Sequence, residues 1–460
     1  MKALNFQKKF WIAIIVLALA AISCQTLTNG LDQVIATIAT STPRPVEKTL
    51  EETPEATSTP SNTETSIVTP TATQTLVPVG EQLQLDIFQS LWEAIDQNYL
   101  YPDFNGLDWD AIYSEYRQKV EEGLETEDFY LAMDEMVYRL GDDHSIFLNP
   151  QQVQAEEVEY TGEHDYVGIG VWVQFAPEKH KGVILLTFPG GPADQAGIKS
   201  RDSILSVEGV ALDDDQGLAI DLLLGVEGTP VTLTVQTPGE EPRTMTIPRG
   251  RITSSLPVPY ELLQTPSGKR IGYIIIPTFS DSTIGEQVGD GLAALSENEP
   301  LDGLILDNRL NGGGWDTVMS QTLSYFTSGK VGYFVNREEK EALEIDGVNI
   351  GGSMDFPLVV LVGPDTVSFG EIFSGILKDQ DRATIIGETT SGNVEVLWGY
   401  DFKDGSRAWI AHDTFAPINH PEWDWEDDGI VVDIEIAAPW DEYTSQTDPA
   451  IQTALDYLDQ

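Results

Sequence analysis

From Ile271 onward the chain alternates between short apolar runs and helix-patterned segments, and this alternation limits the fold more than any other feature of the sequence. The runs "IGYIIIP", "LDGLILDNR", "PLVVLVG" and "ATIIGE" read as strands. The segments "TIGEQVGDGLAALSEN", "WDTVMSQTLSYF" and "FGEIFSGILKD" between them read as helices. Two further strand candidates flank a "KDGS" turn, and "DPAIQTALDYL" ends the chain as an amphipathic helix. Strands of this kind, separated by crossover helices, predict an α/β core with a largely parallel sheet.

Upstream, three apolar stripes recur at helical spacing: Leu85, Phe88, Leu91, Trp92 and Ile95; Trp109, Ile112, Tyr113, Tyr116 and Val120; Phe129, Met133, Met136, Val137 and Leu140. They predict a small helical unit ending in "GDDHSIFLNP". Next come short alternating strands with glycine turns and one short helix, in the order "YVGIGVWVQF", "GPADQAGI", "DSILSVEG" and "GVEGTPVTLTV". This order resembles a PDZ domain of the circularly permuted bacterial kind. The resemblance implies that a peptide adds to a sheet edge and that loop N–H groups hold its C-terminal carboxylate. Gly168, Ile169 and Gly170 of "YVGIGV" are the matching loop. A PDZ domain that packs on its neighbour and binds nothing is the other reading.

The first residues bear on location. Lys2, Lys8 and Lys9 precede "FWIAIIVLALAAIS", an apolar segment shorter than the roughly 20 residues of a spanning helix. It ends in "AISC", which resembles a bacterial lipoprotein signal with Cys24 as the lipidated residue. An ordinary signal peptide or an uncleaved anchor are the alternatives. Each places the bulk of the chain outside the cytoplasm. The stretch to Val79, rich in Thr, Ser, Pro and Glu, has too few apolar residues for a core and reads as a tether. The expected organisation is signal 1–23, tether 24–80, helical segment 81–155, PDZ domain 160–252 and α/β core 253–460.

A formal charge of −50, from 25 Lys+Arg against 75 Asp+Glu, argues against nucleic acid and against charge-driven docking on anionic lipid. Cys24 is the sole cysteine, so neither an intramolecular disulfide nor a cysteine metal site is available. The five histidines form no close pair and no HExxH, so the spacing gives no zinc motif and no metal is expected.

Ser368 in "PDTVSFGEIFSGILKD" sits between a buried strand and a helix start. There, free N–H groups and the helix dipole favour an anion such as an acyl-transfer oxyanion. An N-cap serine occupies the same place for purely structural reasons. No GxSxG is present, since Thr366 stands where the first glycine would be, so an α/β-hydrolase elbow is not supported. A second sheet end, "LILDNRLNGGGWD", carries Gly312, Gly313 and Gly314, which let a backbone approach a ligand closely.

The ordered set "DDHS", PDZ, "IGYIIIPTFS", "DNRLNGGG", "SFGE" and "GETTSG" resembles the tail-specific or C-terminal processing proteases, serine peptidases of the S41 type that include tricorn-like members. The resemblance runs from about Leu83 to Leu458 and implies a crotonase-like core. It maps the nucleophile to Ser368 and the oxyanion hole to Gly313, with Gly314 beside it, and the N–H of Phe369. The processing-protease branch ends "GExTFGK" with a catalytic lysine; this chain has "GETTSGN", so Asn393 takes that place and a Ser–Lys dyad there is excluded. Lys378 and Lys403 read as surface lysines. The tricorn-like branch implies His144 as base and Glu426 of "EDDGIVVD" as its carboxylate, although Val432 replaces a usual proline. Asp143 is a competing orienter, His412 is the runner-up base, and Glu371 and Asn393 are candidates to support the site.

The reaction this implies is peptide-bond hydrolysis through an acyl-enzyme, without cofactor, on proteins or peptides with free C-termini. The alternatives are an inert peptide-binding pseudo-protease, and a small-ligand carrier like a related vertebrate retinoid-binding family that reuses this core.

Overall fold

The computed structural model describes residues 76–142, 144–162, 165–212 and 218–460. The expected signal, the lipidation of Cys24, nearly all of the tether and Asp143 lie outside the described residues.

The centre is a six-stranded sheet in the order Tyr260–Gln264, Arg270–Ile275, Gly303–Asp307, Leu358–Val362, Thr384–Gly387 and Ile434–Glu435. Only the first pair is antiparallel. Every residue of Gly303–Asp307 and Leu358–Val362 is buried, and the alternation of side chains explains why. Leu358, Val360 and Val362 face the helices Ile284–Ser296 and Phe369–Asp379, whereas Val359 and Leu361 face the C-terminal helix Pro449–Leu458. Two apolar layers therefore cover one sheet, and a central strand reads as a continuous apolar run.

A second, antiparallel sheet lies over the helix layer. Its path is Ile146–Leu148, Arg407–Pro417, Gly329–Val335 and Lys340–Ile345, with Val396–Asp401 also paired to Arg407–Pro417. The last-named pair flanks the "KDGS" turn; the hairpin at 329–345, the strand Ile146–Leu148 and the helix Pro150–Thr161 were not legible as elements in the sequence. The helix at 150–161 starts on a full capping box from Asn149 and Gln152.

The N-terminal helices Glu81–Asn98, Trp109–Glu121 and Thr126–Tyr138 share one continuous core with the helix layer of the sheet. In the first of them the buried stripe is Gln84, Ile87, Phe88, Leu91 and Ile95. Leu85 and Trp92, which the spacing assigned to the stripe, are only half-buried, because the stripe is set one residue earlier and Ile87 takes the inward place. Residues 166–252 fold around a separate antiparallel sheet, Val171–Ala176, Lys181–Thr187, Ser203–Val207, Pro230–Gln236 and Arg243–Pro248. Ile184, Ile204, Val231 and Leu233 form its own core, while Val183 and Leu185 pack toward the main sheet.

Candidate active site

Ser368 is fixed from both sides before its helix begins. Thr366 Oγ1 donates to the Asn308 carbonyl at 3.0 Å, Val367 N–H to the Asn311 carbonyl at 3.0 Å, and Ser368 N–H to the Asn393 carbonyl at 2.8 Å. These bonds hold Ser368 at φ 55°, ψ −125°, left-handed backbone for a residue with a side chain. Such a conformation costs about 1–3 kcal/mol and persists only where the surroundings enforce it. The residue is 1% exposed, and its Oγ has no hydrogen-bond partner. The hydroxyl is therefore not spent on the cap. The cap comes from Glu371, whose Oε2 accepts from Ser368 N–H at 3.2 Å. Glu371 Oε1 accepts from Thr390 Oγ1 and, at 2.9 Å, from Gly392 N–H. Burial is the main reason its pKa is pushed up to about 7.

Gly313 lies directly against this serine. At its φ of +95°, a Cβ would sit 2.7 Å from Ser368 Cβ, 3.1 Å from Oγ and 3.2 Å from the Phe369 nitrogen. Only a residue without a side chain leaves open the space above the hydroxyl. Phe369 is the first helical residue, so its N–H belongs to the turn that has no intrahelical acceptor. Gly313 N–H is at rest donated to Asn311 Oδ1 at 2.9 Å, and Asn311 is itself held by Asn308 at 2.9 Å. Gly314 is placed differently. A Cβ there would run into the Phe279–Ser280 backbone, which pairs with this loop through Phe279 N–H to the Gly313 carbonyl at 2.7 Å. Its missing side chain thus serves loop packing.

Asn393 contributes its backbone carbonyl to Ser368, while its own Oδ1 is buried without a partner. The two nearby lysines are engaged elsewhere: Lys378 with the Val431 carbonyl and Asp433, Lys403 with Asp86. His412 pairs with Asp413 at 2.8 Å and stacks on Trp398 with ring centroids 4.0 Å apart.

His144 reaches the core through a turn and a strand. Asp142 Oδ1 accepts from His144 N–H at 3.0 Å and from Ser145 N–H at 2.8 Å, and Asp142 Oδ2 accepts from Ser145 Oγ at 2.7 Å. Ser145 Oγ accepts in turn from Ala411 N–H at 3.0 Å, and Ile146–Leu148 then pairs with Arg407–Trp409. The imidazole, 2% exposed, meets two carboxylates at the same nitrogen. Nε2 lies 3.3 Å from Glu426 Oε1 and 3.2 Å from Glu395 Oε2. Glu426 Oε2 is held by the N–H groups of Val394 at 2.7 Å and Glu395 at 3.2 Å, and Glu395 Oε1 by the Tyr101 hydroxyl. Nδ1 is buried and has no partner.

Burial is the largest influence on His144 and opposes its charged form. It is outweighed by the Glu426 hydrogen bond and by the charges of Glu395, Glu426 and Asp142, so the ring's pKa is held up at about 9. Burial pushes the Glu395 carboxyl up, while for Glu426 the neighbouring imidazolium and two backbone N–H groups prevail over burial and hold it down. No hydrogen bond joins Ser368 to His144 at rest; each presents an unpartnered buried atom. The two lie on one chain of contacts, from Ser368 N–H through residues 393–395 to Glu426 and His144.

Among the PDZ-like residues, Ile169 is buried, with its carbonyl taken by Ala193 N–H at 2.8 Å. Gly168 ends the strand paired with Gly250–Ile252, and Gly170 turns at φ +75°. Tyr101, Asp142, Asn311 and Glu395 were missed from sequence. The one available signal was Glu395, an acid inside the apolar run "VEVLW" two residues after Asn393.

Three family models match the chain: peptidase family S41 over residues 270–436, the tricorn protease C1 domain over 84–138 and a PDZ domain over 189–237. A carboxyl-terminal-processing protease of Synechocystis sp. is 32% identical over 80% of this chain and 85% of its own length. One of Picosynechococcus sp. is 30% identical over 82% and 89%. Among solved structures, a photosystem II D1 C-terminal processing protease is 26% identical and superimposes with a TM-score of 0.53 over 81% of this chain and 97% of that one.

Proposed function

The chain belongs to peptidase family S41, and from that premise we propose a serine peptidase of the Ser–His type, acting outside the cytoplasm on protein or peptide substrates with free C-termini. The observation that carries the reading is the strained, buried Ser368, whose hydroxyl is unpartnered beneath Gly313.

In the mechanism, Ser368 Oγ gives its proton to His144 and attacks the scissile carbonyl. Both carboxylates lie at Nε2, so Nδ1 is the nitrogen left for that proton. The oxyanion takes the N–H groups of Phe369 and Gly313, the latter exchanging its bond to Asn311 Oδ1 for the developing negative charge. The C–N bond then breaks, His144 returns the proton to the leaving amine, and Ser368 holds the acyl group as an ester. Water gives a proton to His144 and its oxygen to the ester carbon; the bond from that carbon to Oγ then breaks, His144 returns the proton to Ser368 Oγ, and the new carboxyl terminus leaves. Glu426, whose second oxygen is anchored by two backbone N–H groups, sets the ring. A ring protonated up to about pH 9 must shed its proton first, so the reading requires activity to climb as the medium becomes alkaline.

The "YVGIGV" loop, with Gly168, Ile169 and Gly170, is the proposed seat for substrate C-termini, and the N-terminal lipoprotein-like signal the proposed membrane anchor. An inert peptide-binding protein would leave the strain at Ser368 without a use.

The test is cleavage of an unfolded protein substrate. The wild type produces fragments, Ser368→Ala none, and Gly313→Ala a kcat lowered about 10²–10³-fold, because the added Cβ would crowd Ser368 and push the Gly313 N–H out of place for the oxyanion. Equal cleavage by wild type and Ser368→Ala overturns the reading.

A further inference from the structure

We propose that His144, Glu395 and Glu426 form a site for a zinc-class divalent cation, whose binding reversibly shuts off the peptidase. The three side chains come from separate segments, and one ligand atom of each lies within 4.8 Å of the others. His144 Nε2 stands 3.2 Å from Glu395 Oε2 and 3.3 Å from Glu426 Oε1. Zinc bound tetrahedrally at 2.0–2.2 Å keeps its nitrogen and oxygen ligands about 3.3 Å apart, which both imidazole–carboxylate spacings match.

The outer contacts divide the work as a metal site needs. Each carboxylate has one oxygen secured by a neighbour, Glu395 Oε1 by the Tyr101 hydroxyl and Glu426 Oε2 by the Val394 and Glu395 N–H groups. The other oxygen of each is aimed at Nε2. Glu395 Oε2 is buried and accepts no hydrogen bond, and its side chain is 2% exposed. The positive charge this oxygen faces is the imidazolium at 3.2 Å, and a divalent cation would take that place. Two carboxylates neutralise a divalent ion, and one imidazole with two carboxylates is a donor set that suits zinc better than magnesium or calcium, which prefer oxygen alone. The Glu426 side chain is 25% exposed, which gives the ion an entrance.

Binding exchanges one proton on Nε2 for the ion. With zinc on Nε2, the neutral ring keeps its remaining proton on Nδ1, so that nitrogen can no longer accept the Ser368 proton and pass it to the amine. This inhibitory consequence rests on His144 being the base; binding does not.

Two measurements keep these apart. Zinc chloride is titrated calorimetrically into the full-length Ser368→Ala protein near neutral pH, alone and combined with Glu395→Gln or Glu426→Gln. One ion per chain is expected, with affinity reduced about tenfold or more by each added substitution. Thermal melts check that each variant is folded, and the two lie on different segments, so both would have to misfold to mask the result. Absence of a single-ion isotherm, or affinity unchanged by both, overturns the site. In parallel, fluorophosphonate labelling of the wild type is expected to be blocked by zinc, restored by a chelator and untouched by magnesium. Single-ion binding with undiminished labelling leaves the site standing and overturns the inhibition, and with it the base role of His144.

Discussion

Glu395 and Glu426 differ in how they meet His144, and the difference sets the chemistry of the ring. Glu426 is anchored by backbone N–H groups and stays ionised, while Glu395 is buried behind Tyr101 and its carboxyl is pushed up. Together they favour imidazolium, so the acid limb of kcat/KM, measured with a chelator present, should lie near the ring's value of about 9. Glu395→Gln removes a negative charge that stabilises the protonated ring. The ring pKa then falls, and the acid limb moves to lower pH. A limb that stays put, or moves up, contradicts the assignment of Glu395. Ser368 could be singled out from the sequence because ordered motifs surround it, but its strain and its free hydroxyl depend on bonds from Asn311 and Asn393. Glu395 could not be singled out, because its inward direction follows from strand register. Of the adjacent acids 142 and 143, the sequence favoured Asp143 as orienter. The described residues give Asp142 a defined part, as the acceptor that shapes the turn.

At the scale of elements, the parallel strands were legible because burial on both faces leaves a plain signature in composition. The hairpin 329–345 was not. Its strand Lys340–Ile345 lies at a sheet edge, and the exposed charges of Lys340, Glu341 and Glu344 interrupt it, so it lacks an apolar run. The strand Ile146–Leu148 is three residues long, too short for any periodicity, yet it docks the base onto the core. Its approach is set by Asp142, which accepts three hydrogen bonds in the turn just before it. Asp142→Ala should lower kcat at least tenfold with little change in KM and cost about 2–3 kcal/mol of stability, read by steady-state kinetics and urea unfolding. A normal kcat would mean that the turn does not position His144.

Across the whole molecule, the site draws on three parts of the chain. The N-terminal helices share a core with the sheet, so the base-bearing segment is part of the central body. The PDZ-like region is tied in by a buried ionic cluster: Arg201 and Arg309 both pair with Asp448, at 2.8 and 2.9 Å, and Arg201 stacks on Trp440. Arg309 belongs to the loop that leads into Gly313; it pairs with Asp307 and shares Asp448 with Arg201. Sequence spacing gave the order of these parts and the replacement of lysine by Asn393. The pairing of His144 with Glu426, which lies 282 residues away, was implied by the tricorn-like resemblance and not by spacing, because that contact exists only once the parts dock. The most direct test of the account is the rate of fluorophosphonate labelling in four proteins: wild type, Ser368→Ala, His144→Ala and Lys378→Ala. The account predicts labelling of wild type and Lys378→Ala at equal rates, none of Ser368→Ala, and a rate about 10²–10⁴-fold lower for His144→Ala. Labelling of His144→Ala as fast as the wild type would contradict it.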